Sequence, residues 1–276
     1  MKRYNLNNKT VIVTGASSGI GRGITVKLIR DYNCTVLGIA RNGEKMQGLV
    51  KELGSDAKNF SYRLFDVSKR GNWEGYCAYL KENGIKPDIL INNAGILPEF
   101  KKFVSCSAEE VERAININFY GAVYSMNELL PLILESPPPA VINIDSSAAL
   151  MPLAGTAAYS ASKAALKALT EAVREELRGK CYVGIICPGF TKTDIFKSQN
   201  LTDRREQKAL RAVSSSCEHT VKRCVKSIVN RRELTVIGAD AQIMRYLGKF
   251  MPVKGGRLIS GILKKSGFKL FDKVFK

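Results

Sequence analysis

The sequence predicts an α/β fold in which helices cover both faces of a doubly wound parallel sheet. Two observations lead to this prediction. Short β-branched apolar runs alternate with helical patterns along the chain, and the runs are apolar almost without interruption, as strands buried on both faces are. Of the 276 residues, 45% are hydrophobic and 25% are charged, a composition that can bury a sizeable core and excludes global disorder.

Seven runs are predicted as strands, at 10–14, 34–40, 59–65, 88–92, 140–144, 181–187 and 234–238. Helical patterns lie between them. Ser107 and Glu110 form a capping-box pattern before one helix, and Ser215 and Glu218 repeat it before another. We therefore expect a single domain built on a seven-stranded parallel sheet, with its core over about residues 8–238 and an extension over about 239–276.

Composition also limits the classes of function. Seven dispersed cysteines without a C-x-x-C pair, together with a polar N-terminus, favour reduced thiols in the cytoplasm. His219 is the only histidine, which argues against a zinc site built on several histidines and against a Ser-His-Asp triad elsewhere in the chain. No apolar run approaches the roughly 20 residues that span a bilayer.

The positive charge is unevenly distributed. The formal net charge is +18, and residues 201–276 contain 18 Lys and Arg against 6 Asp and Glu. Such a charge fits nucleic acid, an anionic membrane, an anionic substrate or simply a solvated basic surface. Beyond Gly238, apolar residues alternate with Lys and Arg, as they do in amphipathic segments that lie on membranes. A helix packed on the body or on another subunit fits the same pattern.

The turn after the first predicted strand carries the strongest cofactor signal. It contains Gly15, Gly19 and Gly21 and leads into a helix. The glycines allow a tight turn and close approach of a ligand, and the N–H groups at the start of the helix suit a pyrophosphate. The spacing is not the common G-x-G-x-x-G, and a glycine-rich turn alone is weak evidence. Its place in the first strand–turn–helix unit nevertheless favours a dinucleotide.

The end of the second strand indicates which dinucleotide. An acidic residue there would bind the ribose 2′-OH of NAD, whereas Arg accommodates the 2′-phosphate of NADP. This chain has Ala40 and Arg41 and no acid, which favours NADP(H). Ser17 and Ser18 could add hydroxyl donors, and Arg22 would raise the local potential. An exposed surface arginine is the alternative interpretation of Arg41.

Tyr159 and Lys163 form a second motif. Four residues apart on a helix, the two side chains lie on one face. A tyrosine with an ordinary pKa of about 10 exchanges protons poorly near neutrality, and a neighbouring ammonium favours the phenolate and lowers that pKa. Without further evidence, a Tyr and a Lys at this spacing are more often two exposed residues on the surface of a helix.

Together these motifs resemble those of the short-chain dehydrogenase/reductases. The glycine turn, Asn92-Asn93-Ala94-Gly95, Ser146 thirteen residues before Tyr159, and Pro188-Gly189 follow the family's order and spacing. The resemblance covers about residues 8–238. It implies a Rossmann fold, a nicotinamide cofactor, and hydride transfer between the cofactor and a carbonyl or carbinol carbon.

The resemblance also implies a role for each matching residue. Tyr159 would be the general acid/base, and Lys163 would lower its pKa and hold the nicotinamide ribose. Ser146 would orient the substrate oxygen, with Ser147 less favoured, and Asn118 would support a proton relay, with Asn116 as its main rival. The implied cofactor-binding residues, besides Tyr159 and Lys163, are Gly15, Ser17, Ser18, Gly19, Ile20, Gly21, Arg41, Asp66, Val67, Asn93, Ala94, Pro188, Gly189, Thr191 and Thr193. Asp145 departs from the pattern, because the family usually has Ser or another small residue there.

The substrate is predicted less narrowly. Residues 195–213 would cover the substrate pocket, and the tail resembles those of family members that handle steroids and other lipophilic carbonyls. An NADP-dependent enzyme of a hydroxysteroid or bile acid is therefore favoured. A 3-oxoacyl thioester or general carbonyl reductase is one alternative, and a non-catalytic nucleotide-sensing or nucleic-acid-binding protein is another.

Assembly and location are predicted from the same patterns. Apolar faces over residues 119–132 and 158–177 predict a homodimer or homotetramer, as the resembled family forms. We expect a cytoplasmic protein with a small, lipophilic substrate and without nucleic acid as a partner. Its basic tail could contact a membrane peripherally.

Overall fold

The centre of the molecule is a seven-stranded, entirely parallel sheet, seen in a computed structural model that describes residues 3–199 and 204–275. The strands are β1 (Thr10–Thr14), β2 (Thr35–Ala40), β3 (Phe60–Leu64), β4 (Ile89–Asn92), β5 (Ala140–Ile144), β6 (Tyr182–Pro188) and β7 (Leu234–Ile237). Their spatial order is β3-β2-β1-β4-β5-β6-β7. The predicted fold class is confirmed, and each predicted strand lies within one residue or so of its observed bounds.

Helices cover both faces of this sheet. They are α1 (Gly19–Tyr32), α2 (Gly43–Leu53), α3 (Arg70–Glu82), α4 (Ala108–Ile115), α5 (Gly121–Leu134), α6 (Ala157–Glu176), α7 (Arg204–Val213), α8 (Cys217–Val229), α9 (Ala239–Phe250), α10 (Lys254–Lys265) and α11 (Asp272–Phe275). Part of the segment predicted to cover the substrate pocket, residues 200–203, lies outside the described residues.

Alternation along each strand divides the core into two layers. In β1, Val11 and Val13 pack with α1 and α8 on one face, while Ile12 packs with Trp73 of α3 and Leu129 of α5 on the other. All five of these side chains are fully buried. Burial on both faces explains why the strand sequences are apolar without alternation.

The strand order reverses at β1, which pairs with β2 on one side and β4 on the other. In doubly wound sheets, ligands bind at the carboxyl ends of the strands beside such a reversal, because the connections on the two sides diverge there and leave a crevice. The turn after β1 and the segment after β4 both open into this crevice.

The two predicted capping patterns have different outcomes. Ser107 and Glu110 form the predicted reciprocal capping box at the start of α4. At α8 the prediction is wrong by one residue, because Ser216 is the cap and its hydroxyl accepts from the His219 N–H at 3.1 Å. Ser215 is held outside the helix, since its N–H donates to the Phe190 carbonyl at 2.8 Å in a bridge beside the loop after β6.

The C-terminal extension packs against the carboxyl end of the sheet. A Cβ at Gly248 of α9 would lie 2.2 Å from the Leu150 carbonyl, so the helix approaches the segment after β5 closely. Farther on, the Phe271 ring stacks on Phe100 with centroids 5.9 Å apart, and Val274 is buried beside them. In the ranges that the structure describes, no helix combines the length and apolarity needed to span a bilayer.

Candidate active site

Tyr159, Lys163 and Ser146 meet at the carboxyl end of the sheet. Because α6 begins at Ala157, Tyr159 and Lys163 lie one turn apart on its first turns. Ser146 lies two residues after the end of β5, and its hydroxyl accepts from the Ala148 N–H at 3.1 Å at the start of a short 3₁₀ turn. Burial raises the pKa of Tyr159, and a hydrogen bond with the Ser146 side chain opposes that rise. This contact distinguishes Ser146 from Ser147.

Lys163 is a buried lysine rather than a surface one. Only 4% of it is exposed, and its Nζ donates to the Ile144 carbonyl at 3.1 Å. Burial lowers the pKa of Lys163, whereas the negative charge of Asp145 raises it. The Lys163 amine is therefore held by the end of β5, and the Asp145 charge acts on it without a hydrogen bond.

Asn118 is presented by an irregular turn between two helices. Residues Asn116–Tyr120 form a π-helical turn that joins α4 to α5, a distortion frequent at functional sites. The buried Asn118 amide donates to the Ile96 carbonyl at 2.9 Å and to the Ser162 hydroxyl at 3.0 Å, while its Oδ1 accepts from the Ile96 N–H at 2.8 Å. Asn116, the rival candidate, is exposed on the same turn.

Asp145 introduces a charge that the sequence motif does not require. It is 5% exposed, and neither carboxylate oxygen has a hydrogen-bond partner in the described part of the chain. Burial raises the pKa of Asp145, and the positive charges of Lys163 and Lys167 lower it. Burial likewise raises the pKa of Tyr159 to about 12, and the Asp145 charge adds to that rise. The influence of Lys163 on Tyr159 stays a prediction.

The glycine turn forms an open cradle. Gly15 has a φ of +67°, and a Cβ at Gly21 would lie 2.4 Å from both the Gly15 carbonyl and the Asn93 amide. Ser18 is the N-cap of α1, yet its side chain makes no capping bond, and no acidic residue occupies the first turn. Free N–H groups, bare backbone and the positive end of a helix dipole fit a pyrophosphate.

The segment after β4 closes this cradle from the side. The Thr14 hydroxyl accepts from the N–H groups of Asn93 and Ala94, both at 2.9 Å. The Asn93 amide returns a hydrogen bond to the Thr14 carbonyl at 3.0 Å. The ends of β1 and β4 are thus locked together, which fixes the floor of the crevice.

The end of the crevice that is predicted to take the adenosine is lined by the predicted residues and by one more. Arg41 and Asp66 face each other across the crevice with Nη1 and Oδ2 3.6 Å apart, and Val67 lies beside them. Lys45 of α2 lines the same cavity, where its Nζ contacts the Asp194 carboxylate at 3.0 Å. Sequence reasoning missed Lys45; the signal available was a second cation four residues after Arg41.

Arg22 does not take the position expected for it. Its guanidinium bonds Glu52 at 2.8 Å and also donates to the carbonyls of Lys45 and Gly48 on α2. The Arg22 side chain therefore joins α1 to α2, and Glu52 offsets its charge. The expectation that Arg22 raises the potential at the 2′-phosphate position is replaced by a structural role.

The loop after β6 is held from below by the extension. The Asp240 carboxylate accepts from the Phe190 N–H at 2.7 Å, and a Cβ at Gly189 would lie 2.1 Å from that carboxylate. The buried Thr191 hydroxyl donates to the Gly189 carbonyl at 3.1 Å, inside the loop. Thr193 faces the cavity and Gly19. Asp240 supports the loop, and no sequence motif predicts this role.

Two cavities meet at Tyr159. The larger, about 700 Å³, runs from the glycine turn past Asn93 to Lys163. The smaller, about 100 Å³, is walled mainly by apolar side chains: Ile20, Leu97, Phe100, Leu153, Phe190, Ile195, Phe196 and Met244. Tyr159 and Asp145 line both. A cofactor and an apolar substrate could therefore reach the same hydroxyl from two sides.

Comparisons with known proteins agree with this arrangement. The profile of the short chain dehydrogenase family matches residues 9–204. An NADPH-dependent pterin aldehyde reductase of Arabidopsis thaliana is 31% identical over 190 residues, 69% of this chain and 78% of that protein. Epidermal retinol dehydrogenase 2 of Homo sapiens is 29% identical over 272 residues, 95% and 84% of the two chains.

A solved structure supports the fold independently. The short chain dehydrogenase/reductase of Burkholderia phymatum, in complex with NAD, superposes with a TM-score of 0.80 over 89% of this chain and 94% of that one, at 21% identity. The family match over most of the chain and the assembled crevice lead to one conclusion: the protein belongs to the short chain dehydrogenases and is a nicotinamide-dependent oxidoreductase that acts on alcohol and carbonyl groups.

Proposed function

We propose that this protein is an NADP(H)-dependent oxidoreductase that interconverts a secondary alcohol and a ketone on a lipophilic substrate, with a hydroxysteroid or bile acid as the favoured class. The observation that carries the proposal is the position of Tyr159. It stands beside Ser146 where a polar crevice and an apolar cavity meet, with the buried Lys163 one turn behind it.

The cofactor would be held along the crevice by residues of four loops. The turn from Gly15 to Gly21 would hold the pyrophosphate, Arg41 the 2′-phosphate, Asp66 and Val67 the adenine, and Lys163 the nicotinamide ribose. Asn93 and Ala94 would lie beside the adenosine ribose, and Pro188, Gly189, Thr191 and Thr193 beside the carboxamide. When bound, the nicotinamide supplies or accepts the hydride at the reacting carbon.

The chain's own side chains would manage the proton on the substrate oxygen. In the reductive direction the Tyr159 hydroxyl donates its proton to that oxygen, and the Ser146 hydroxyl donates a second hydrogen bond. The positive charge of Lys163 favours the resulting phenolate. Asn118, fixed by Ile96 and Ser162, would support the relay that returns the proton.

The preference for NADP(H) rests on charge at the end of β2. Ala40 brings no carboxylate there, and Arg41 and Lys45 bring two cations. Arg41 is 54% exposed and already faces Asp66, so its contact with a phosphate belongs at the low end of charge-assisted bonds. A preference of roughly tenfold in kcat/KM over NAD(H) follows. The relative from Arabidopsis is NADPH-dependent by name, while the Burkholderia structure contains NAD.

Cofactor choice is tested with Arg41→Ala. We expect most of the NADP(H) preference to disappear while NAD(H) activity stays nearly unchanged. Arg178→Ala, which removes an exposed arginine between the end of α6 and the start of β6, is the matched control and should leave the preference intact. Equal use of both cofactors by the wild type, or equal loss with both in Arg41→Ala, would contradict the assignment.

Substrate class is tested with a panel of hydroxysteroids, bile acids, sugars and acyl thioesters, read by NADPH absorbance. The apolar walls of the small cavity support an apolar substrate, and turnover of the steroids and bile acids is the result that the proposal predicts. Fast turnover of 3-oxoacyl thioesters or of small carbonyls would favour the alternative reductases. Nucleic-acid affinity that falls steeply with salt and survives Tyr159→Phe would favour a binding protein instead.

Assembly and location complete the proposal. We expect one domain, with its core over about residues 8–238, that forms a homodimer or homotetramer in the cytoplasm. Support for assembly comes from Tyr120 and Leu134 at the two ends of α5, which are 39% and 37% exposed. Light scattering at micromolar concentration tests it, and a monomer would contradict it.

A further inference from the structure

The outer side of α9 and α10 exposes a concentration of large apolar side chains. Twelve such side chains are exposed in the described part of the chain, and seven of them lie between residues 243 and 262: Ile243, Tyr246, Phe250, Met251, Val253, Leu258 and Ile262. Between 51% and 64% of each of these residues is accessible, except Met251 at 37%. This clustering differs from the single exposed apolar residues normal on protein surfaces.

The apolar residues follow helical spacing, so they form faces rather than a scatter. In α9, Ile243, Tyr246 and Phe250 recur at three and seven residues. In α10, Leu258 and Ile262 are four residues apart. The helices are adjacent, since a Cβ at Gly255 would lie 3.0 Å from the Leu247 Cβ. We call the surface formed by Ile243, Tyr246 and Phe250 of α9 and by Leu258 and Ile262 of α10 the basic apolar face.

Cations surround this face, and no acid neutralises them. Residues 241–271 contain no Asp or Glu. The exposed cations of the two helices are Arg245, Lys249, Lys254, Arg257, Lys264 and Lys265. None of them forms an ion pair among the residues described, and Lys249 instead lies over the Phe250 ring at 5.2 Å. Apolar side chains flanked by unpaired cations are complementary to an apolar layer beneath anionic headgroups.

We propose that the basic apolar face docks this enzyme on the surface of an anionic lipid bilayer, without crossing it. A second copy of the chain is a weaker fit, because two faces that each carry six cations and no acid would repel each other. The inner side of the same helices forms part of the active-site wall. Met244 of α9 lines the small apolar cavity, and Leu263 of α10 packs in the cluster with Leu97 and Phe100.

This geometry gives docking a consequence that rests on the proposed function. A lipophilic substrate dissolved in the bilayer would lie next to the elements that wall the substrate cavity. Docking would therefore raise the local substrate concentration without a change in the catalytic side chains.

The proposal is tested with purified full-length protein and two sets of vesicles, one of phosphatidylcholine and one of phosphatidylcholine and phosphatidylserine in equal parts. We expect co-sedimentation with the anionic vesicles and little with the neutral ones. Lys249→Gln/Arg257→Gln should weaken the partition coefficient on the order of tenfold. Phe250→Ser/Ile262→Ser should weaken it as well, because the apolar insertion is lost.

Matched controls lie elsewhere on the surface. Lys51→Gln/Lys58→Gln removes the same charge from α2 and the turn after it, and Val104→Ser removes a side chain that is 89% exposed before α4. Both should bind anionic vesicles as the wild type does. All variants should turn over a water-soluble substrate equally, which separates a docking defect from a folding defect.

Two results would overturn the proposal. One is absence of binding to anionic vesicles by the folded wild type. The other is conversion of an oligomer to a monomer by Phe250→Ser/Ile262→Ser in sedimentation velocity, without an effect on vesicle binding, since the face would then join copies of the chain. Vesicle binding needs no turnover, so failure of the proposed reaction would leave this test intact.

Discussion

The glycine turn and the C-terminal extension frame the same site but are built differently. At the turn, the space beside Gly21 is filled by backbone, and the segment after β4 is locked onto β1 by hydrogen bonds. In α10, Gly256 and Gly261 have no atom within 4 Å of an added Cβ. A region fixed by internal contacts tolerates little change, whereas a region facing outward is shaped by what it contacts outside the chain.

Among the changes that test this comparison, the largest effect is expected for Gly21→Ala. The added methyl would meet the Gly15 carbonyl at 2.4 Å, and that turn cannot move without disturbing the cradle. We expect NADP(H) affinity to fall by at least tenfold and the free energy of unfolding by roughly 1–3 kcal/mol. Fluorescence titration with NADPH and urea unfolding measure both. Gly75→Ala in α3, where nothing lies within 4 Å, is the control, and an equal loss there would undo the comparison.

A shift in pH dependence is expected for Asp145→Asn. Burial is the main cause of the raised pKa of Tyr159 and the negative charge of Asp145 adds to it, so removal of that charge lowers the pKa of Tyr159. The acidic limb of the pH profile for alcohol oxidation should therefore move to lower pH, by up to about one unit. Asp31→Asn, on the exposed end of α1, should leave the profile in place. A shift to higher pH in Asp145→Asn would contradict this sign.

The smallest effect is expected for Gly261→Ala in α10. No neighbour opposes the new methyl, and alanine favours a helix interior over glycine by about 1 kcal/mol. We expect a small gain or no change in the free energy of unfolding, measured in urea, and unchanged turnover. A loss comparable to that of Gly21→Ala would mean that α10 packs against something more than the chain itself.

The sequence predicted the regions that internal contacts fix. Strands buried on both faces are continuous in apolarity, so β1 to β6 could be located within a residue or so. The structure brings the glycine turn, Ser146 and Tyr159 to the same end of the sheet, and short motifs could indicate this because they depend on local backbone conformation and on one helical spacing; the roles of these residues stay predictions. On the π-helical turn Asn118 is buried and Asn116 is exposed. The sequence does not show this turn, so it left both residues as candidates.

Features that depend on long-range approach could not be predicted. Lys45 of α2 reaches the part of the crevice that Arg41 lines, and Asp240 of α9 reaches the loop after β6, fifty residues farther along the chain than Phe190. The spacing of Ser215 to Glu218 predicts a cap, yet a backbone bridge to the loop after β6 holds Ser215 outside the helix. In each case the position of the residue is set by a contact between segments that lie far apart in the sequence, and local motif spacing gives no information about such contacts.

The measurement that tests the account most directly is turnover and cofactor binding of Tyr159→Phe. Only the hydroxyl group that carries the transferable proton is removed, because the ring that lines both cavities remains. We expect kcat to fall by roughly a hundredfold to ten-thousandfold, as for loss of a general acid/base, while the NADPH dissociation constant stays within a few-fold of the wild type. Near-normal turnover in a folded Tyr159→Phe protein would contradict the assignment of Tyr159 as the general acid/base and the mechanism proposed for this protein.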